Sequence, residues 1–195
     1  MLSRFKILAS QPRMALGALL TLLLSAAAVA GSGADFTASS ANPSNTFASG
    51  TLTVGNSKAG VAVLSASNLR PGEAAQTGDV DIENTGSLSG AFTLARGTVT
   101  NSDVANPLAD KLNLTVADCG AFTGPTPPTC GDGDDVSRYA GTVADMGTPG
   151  HEVGALGTFA AGVKHRYRFT VALDGTADNA YQGDSATVQF DFNAA

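Results

Sequence analysis

The chain has 195 residues, of which only 14 % are charged and none is Trp, so it has room for one domain or two very small ones and a composition that disfavours long surface helices. Lys and Arg total 11 against 17 Asp and Glu, for a formal net charge of −6, and from Asp35 onward the balance is 8 bases to 17 acids. Such a chain repels phosphate backbones, which excludes general nucleic-acid binding. The first 34 residues read as an export signal. Arg4, Lys6 and Arg13 form a basic start, and Ala15 to Ala30 is an uncharged apolar run. That run is shorter than the roughly twenty residues a spanning helix needs, and small residues follow it. Cleavage is expected after Ala30 or Ala34, which makes the product a secreted protein with no membrane span after processing; a retained N-terminal anchor is the alternative.

From Asp35 the dominant pattern has a period of two, the signature of half-buried strands. Residues 35–49 are polar and rich in Ser and Asn, with Phe36 and Phe47 the only aromatics. Thr51–Val54 and Gly60–Leu64 are short candidate strands, and Asn68-Leu69-Arg70-Pro71-Gly72 is a turn. Asp79-Val80-Asp81-Ile82-Glu83 alternates strictly, with the acids facing out. Ala91–Ala95 and Leu112–Asp118 follow, with one short helix expected within Asn101–Asp110. Val136–Val143 and Gly157–Ala161 are the next two strands. In the last two, His165, Tyr167, Phe169, Val171 and Leu173 share one face, as do Ala186, Val188, Phe190 and Phe192. About eight strands with turns between them point to an all-β, jelly-roll-like antiparallel sandwich with short helical or loop insertions, one domain over 35–195.

Cys119 and Cys130 flank a loop rich in Gly and Pro. In an exported protein such a pair is expected to form a local disulfide. Asp132, Asp134 and Asp135 in the run GDGDD begin like a calcium loop. The position that should carry its closing Glu is Val143, however, so calcium competes with a plain solvated acidic turn. His151-Glu152 starts like a zincin helix, but the fifth residue is Ala155 where the second His should be. His165 falls on an inward strand phase and reads as structural. No nucleophile elbow, P-loop or dinucleotide fingerprint occurs, so no enzyme activity and no cofactor beyond the calcium candidate is expected. Asn113-Leu114-Thr115 matches the glycosylation triplet but sits inside a strand pattern.

Three segments resemble the TasA/camelysin family of bacterial biofilm-matrix and cell-surface proteins. They are Asn45–Val54 (NTFASGTLTV), Leu69–Gly72 with Val80–Leu88 (LRPG and VDIENTGSL), and Tyr181–Ala194 (YQGDSATVQFDFNA). The resemblance spans both ends of the 35–195 region and leaves Thr98–Gly162 uncovered. It implies a jelly-roll domain, release by a dedicated signal peptidase cutting before Asp35, and a structural fibre subunit that assembles with copies of itself. In that picture residues 35–49 are an exchanged strand that adds to a neighbour's sheet edge, with Phe36 and Phe47 as anchors. A monomeric surface adhesin or ligand-binding sandwich is the alternative. A secreted metallopeptidase, an activity ascribed to camelysin, lacks its zinc motif here.

Overall fold

The computed structural model describes residues 16–21, 49–151 and 153–195. Residues 16–21 are α-helical. The remainder holds eight antiparallel strands: β1 (Val54–Asn56), β2 (Gln76–Asn84), β3 (Gly90–Asn101), β4 (Leu112–Phe122), β5 (Val136–Thr142), β6 (Ala155–Phe159), β7 (Lys164–Leu173) and β8 (Ala186–Ala194). They form a five-stranded sheet, ordered β1-β2-β7-β4-β5, and a three-stranded sheet, ordered β6-β3-β8. The protein is an all-β sandwich.

The two sheets bury facing sets of alternate residues. Val80, Ile82, Leu114, Val116, Tyr167 and Phe169 come from the larger sheet, and Phe92, Leu94, Leu156 and Phe159 from the smaller. Aromatic rings pack both within the smaller sheet and across the gap between the sheets. Phe92 lies 4.3 Å from Phe159 and Phe159 lies 4.3 Å from His165, while Tyr167 reaches Phe192 at 6.1 Å. Such contacts add a favourable quadrupolar term to the burial of large apolar areas. Asn84, fully buried, ties the layers at one end. Its amide donates to the carbonyls of Leu88 at 2.7 Å and Phe159 at 3.0 Å and accepts from the Gly86 N–H at 3.0 Å, which leaves its polar atoms satisfied.

The outer face of the larger sheet is set by register. Asp79, Asp81 and Glu83 on β2 stand directly opposite Arg168, Arg166 and Lys164 on β7. Arg166 clasps Asp81 through two bonds of 2.7 and 2.9 Å, and Arg168 clasps Asp79 through two of 2.8 Å. The Arg168 fork holds the Asp79 carboxyl below the usual carboxylate range. The outward acids expected on β2 are therefore one side of a cross-strand ion-pair ladder.

Several boundaries differ from the sequence expectation. The first strand is Val54–Asn56 and not Thr51–Val54, although the Thr51 and Thr53 carbonyls still accept bonds from Ser87 and Thr85. No strand forms over Gly60–Leu64. Successive turns, Ala59 N–H to Asn56 and Val61 N–H to Lys58, break the ladder there, and Val63 and Leu64 pack on the core without pairing. The Val63 carbonyl crosses β2 so closely at Gly78 that a Cβ there would lie 2.2 Å from its oxygen. The turn at 68–72 forms as expected, with Gly72 at φ 74° and the Glu73 N–H bonded to the Arg70 carbonyl. The helix expected within Asn101–Asp110 reduces to one 3-10 turn, Leu108–Asp110, because β3 runs on to Asn101. The strand expected at Gly157–Ala161 lies earlier, at Ala155–Phe159, since Ala160 opens the turn into β7.

Candidate functional site

The strand pairs β2–β7, β3–β6 and β4–β5 are nested as in a jelly roll. A complete roll would also pair its first strand with its last. Here β1 pairs with β2 instead. One edge of β8 is bonded to β3 from Phe92↔Ala194 to Asn101↔Ala186, and its other edge pairs with no strand among the described residues.

A groove of about 470 Å³ runs along that open edge. One wall is Val188, Phe190 and Phe192 of β8, and the other is Lys58, Val61 and Val63 of the segment after β1. The alternation places the three β8 residues on the core side, and they do pack against the core. Phe190 lies 4.7 Å from Phe169. Yet all three are only half-buried, whereas Phe169 and Tyr167 on central β7 are fully buried. Val61 across the groove is 64 % exposed. The edge strand carries no Lys, Arg or Pro, the residues that usually blunt an edge. The groove therefore offers a row of backbone donors and acceptors above a half-covered apolar floor.

The expected assembly anchors, Phe36 and Phe47, lie outside the described residues, as does the whole 35–48 segment. Cys119 and Cys130 form the disulfide, with Cα atoms 4.9 Å apart. Its ring does not lie clear of the sheet, because Cys119 to Phe122 are the last residues of β4. The bridge thus pins a strand end as well as a loop, and Arg168 adds a bond of 3.1 Å to the Cys130 carbonyl. Of Asp132, Asp134 and Asp135, the first and last turn their carboxylates toward local backbone. Asp132 accepts from the Asp134 N–H at 3.3 Å and Asp135 from the Gly131 N–H at 2.7 Å. Among the described residues no three His, Cys, Asp or Glu side chains converge as a metal would require. His151 is exposed, and Glu152 lies outside the described residues.

His165 holds a place that its strand phase alone did not reveal. Its Nδ1 lies 3.0 and 3.1 Å from the two carboxylate oxygens of Asp118, which is 3 % exposed. Arg138 donates to the same carboxylate at 2.7 Å and the Gly120 N–H at 3.0 Å. Burial pushes this carboxyl up, but the bonds from His165, Arg138 and Gly120 outweigh it and hold it below the usual range. Burial, helped by the Asp118 charge, pushes the nearby Tyr167 phenol well above its ordinary value. The signal was in the sequence: Asp118 shares the inward phase of Leu112, Leu114 and Val116, and an acid there needs a cation.

No protein-family model matches the chain. No curated protein matches it either. No helix among the described residues is long and apolar enough to cross a membrane, which says nothing of strands.

Proposed function

We propose that the chain is a structural subunit of an extracellular or cell-surface fibre of the biofilm-matrix kind, each copy adding a strand to the next. The observation that carries this reading is the open β8 edge with its groove. The apolar side chains beneath it are half-covered, and the strand carries no Lys, Arg or Pro, with Asp191 its single charge. The donor in this reading is the 35–49 segment of a neighbouring copy, which combines β-compatible polar residues with Phe36 and Phe47. Addition of one copy's segment to the next copy's edge is heterologous, and where its rotation does not close it propagates as a filament. Each Phe inserted into the groove could contribute about 1.5–3 kcal/mol of burial. The resemblance to the TasA/camelysin family agrees with this reading, as does the export signal, and the reading includes removal of residues 1–34 by a dedicated peptidase.

The test is electron microscopy with light scattering on the secreted protein and on a form lacking Asp35 to Ser44. The full form is expected to elongate and the shortened form to remain a folded, non-elongating domain. Equal fibre yield from both would overturn the donor assignment. A monodisperse monomer from both, across salt and pH, would favour an adhesin or ligand-binding sandwich.

A further inference from the structure

A second, smaller cleft, of about 280 Å³, lies on the outer face of the five-stranded sheet. Asn56 and Ser57 at the end of β1, Asp81 and Glu83 on β2, Lys164 on β7 and Phe122 at the end of β4 line it. Three of them form one row across three strands, because Lys164 stands opposite both Glu83 and Phe122. The row therefore sets a carboxylate, an ammonium and an aromatic ring side by side. The Lys164 Nζ is 3.5 Å from Glu83 Oε2 and 5.9 Å from the centre of the Phe122 ring.

We propose that this cleft binds a neutral polysaccharide, taking one or two sugar units of a longer chain. Sugar recognition needs an apolar ring for the C–H face and, beside it, fixed donors and acceptors for neighbouring hydroxyls. Phe122 supplies the ring. The Glu83–Lys164 pair supplies an acceptor next to a donor, spaced for two adjacent hydroxyls that each both donate and accept. Its single contact is looser than the two-bond clasps of Asp81 and Asp79, so a ligand can enter it without breaking a fork. Asn56 and Ser57 face the cleft with donors to spare. The Asn56 Oδ1 accepts the Lys58 N–H and the Ser57 Oγ accepts the Asp81 N–H, while the Asn56 NH2 and the Ser57 hydroxyl proton have no partner among the described residues.

Charge selects the class of ligand. Each carboxylate in the cleft is paired with a cation, so the site is locally neutral. The region from Asp35 carries 8 bases against 17 acids and repels an anionic chain. Preorganisation comes from the disulfide, which holds the end of β4 that carries Phe122. The inference does not rest on the fibre reading, because Glu83, Phe122 and Lys164 are no part of the β8 groove, although Asn56 borders both cavities.

Saturation-transfer NMR on the secreted protein tests it, because the method reads binding to monomers and fibres alike. The probes are hexamers of four neutral glucans or aminoglucans (maltohexaose, cellohexaose, laminarihexaose, chitohexaose) and an alginate hexamer. At least one neutral hexamer should take up saturation from the protein. Its affinity should fall about tenfold or more in Phe122→Ala and in Glu83→Gln, as loss of one good contact predicts. Glu83→Gln keeps the size while removing the charge and turning one acceptor oxygen into a donor, so it remains informative if Phe122→Ala fails to fold. Binding that survives both substitutions would place the ligand elsewhere and overturn the proposal. So would silence from all four neutral hexamers, or tighter binding of alginate than of any of them.

Discussion

The strands β7 and β8 carry the same kind of sequence and meet different fates. Each alternates large apolar residues with polar ones, and each turns its apolar set toward the gap between the sheets. On β7 the set Tyr167, Phe169 and Val171 is buried, because ladders with β2 and β4 cover both edges. On β8 the set Val188, Phe190 and Phe192 stays half-exposed, because only β3 covers it. Alternation says which face of a strand is apolar. Burial also depends on how many neighbours the strand has, and that is a property of topology.

The contrast can be broken most directly at its two phenylalanines. Phe169→Ala should cost about 3–5 kcal/mol, the range for truncating a buried ring. Phe190→Ala, on the same phase of the other strand, should cost about 1–2 kcal/mol, since part of its ring is already solvated. Urea unfolding of the two variants measures both. Equal losses would mean that β8 is as well covered as β7.

Replacing Cys119 and Cys130 together by Ser should cost about 2–3 kcal/mol, as expected for releasing a loop of this length. The damage should fall on the five-stranded sheet alone. Amide exchange should quicken from Cys119 to Phe122 and leave β8 as it was. An unchanged β4 end would show that the sheet, and not the bridge, positions it.

The smallest effect expected concerns Asp79, and it sharpens the contrast through the ladder that only the larger sheet possesses. The folded protein holds this carboxyl below its ordinary value, through the Arg168 bonds. Its contribution is therefore present above about pH 4, where the unfolded carboxyl is ionised, and is lost as pH falls through the folded value. Asp79→Asn should cost about 0.5–1 kcal/mol at neutral pH, typical of a part-exposed pair. The deficit should shrink toward zero in strong acid. A deficit that persists there would come from packing and not from charge.

Much of this arrangement was legible in the residues themselves. Period two marked β2, β7 and β8, and the turn residues marked the bend at Pro71-Gly72. The acids of β2 read correctly as outward. What escaped was whatever depends on partners distant in sequence. Gly60–Leu64 looks like a strand by composition, yet its backbone is turned and only its side chains join the core. The true length of β3 was hidden by the irregular stretch between Arg96 and Val99, where pairing with β8 shifts register. The Asp118 site was half-legible. The inward acid could be read from its phase, but its partners His165 and Arg138 lie 47 and 20 residues away. The glycan cleft was invisible, because Asn56, Glu83, Phe122 and Lys164 share no local motif.

The order of the strands along the chain also governs when the fold can close. Arg166 and Arg168 reach back 85 and 89 residues to their acids, and β8, which completes the smaller sheet, follows every other strand. A chain still emerging from the ribosome can make the β1–β2, β4–β5 and β3–β6 pairs, but neither sheet is complete until β7 and β8 arrive. Pairings of such long span pay their loop entropy before they return any contact, so folding should be slow and late. A chain that remains unfolded until its last strand is released can still be threaded through a narrow channel.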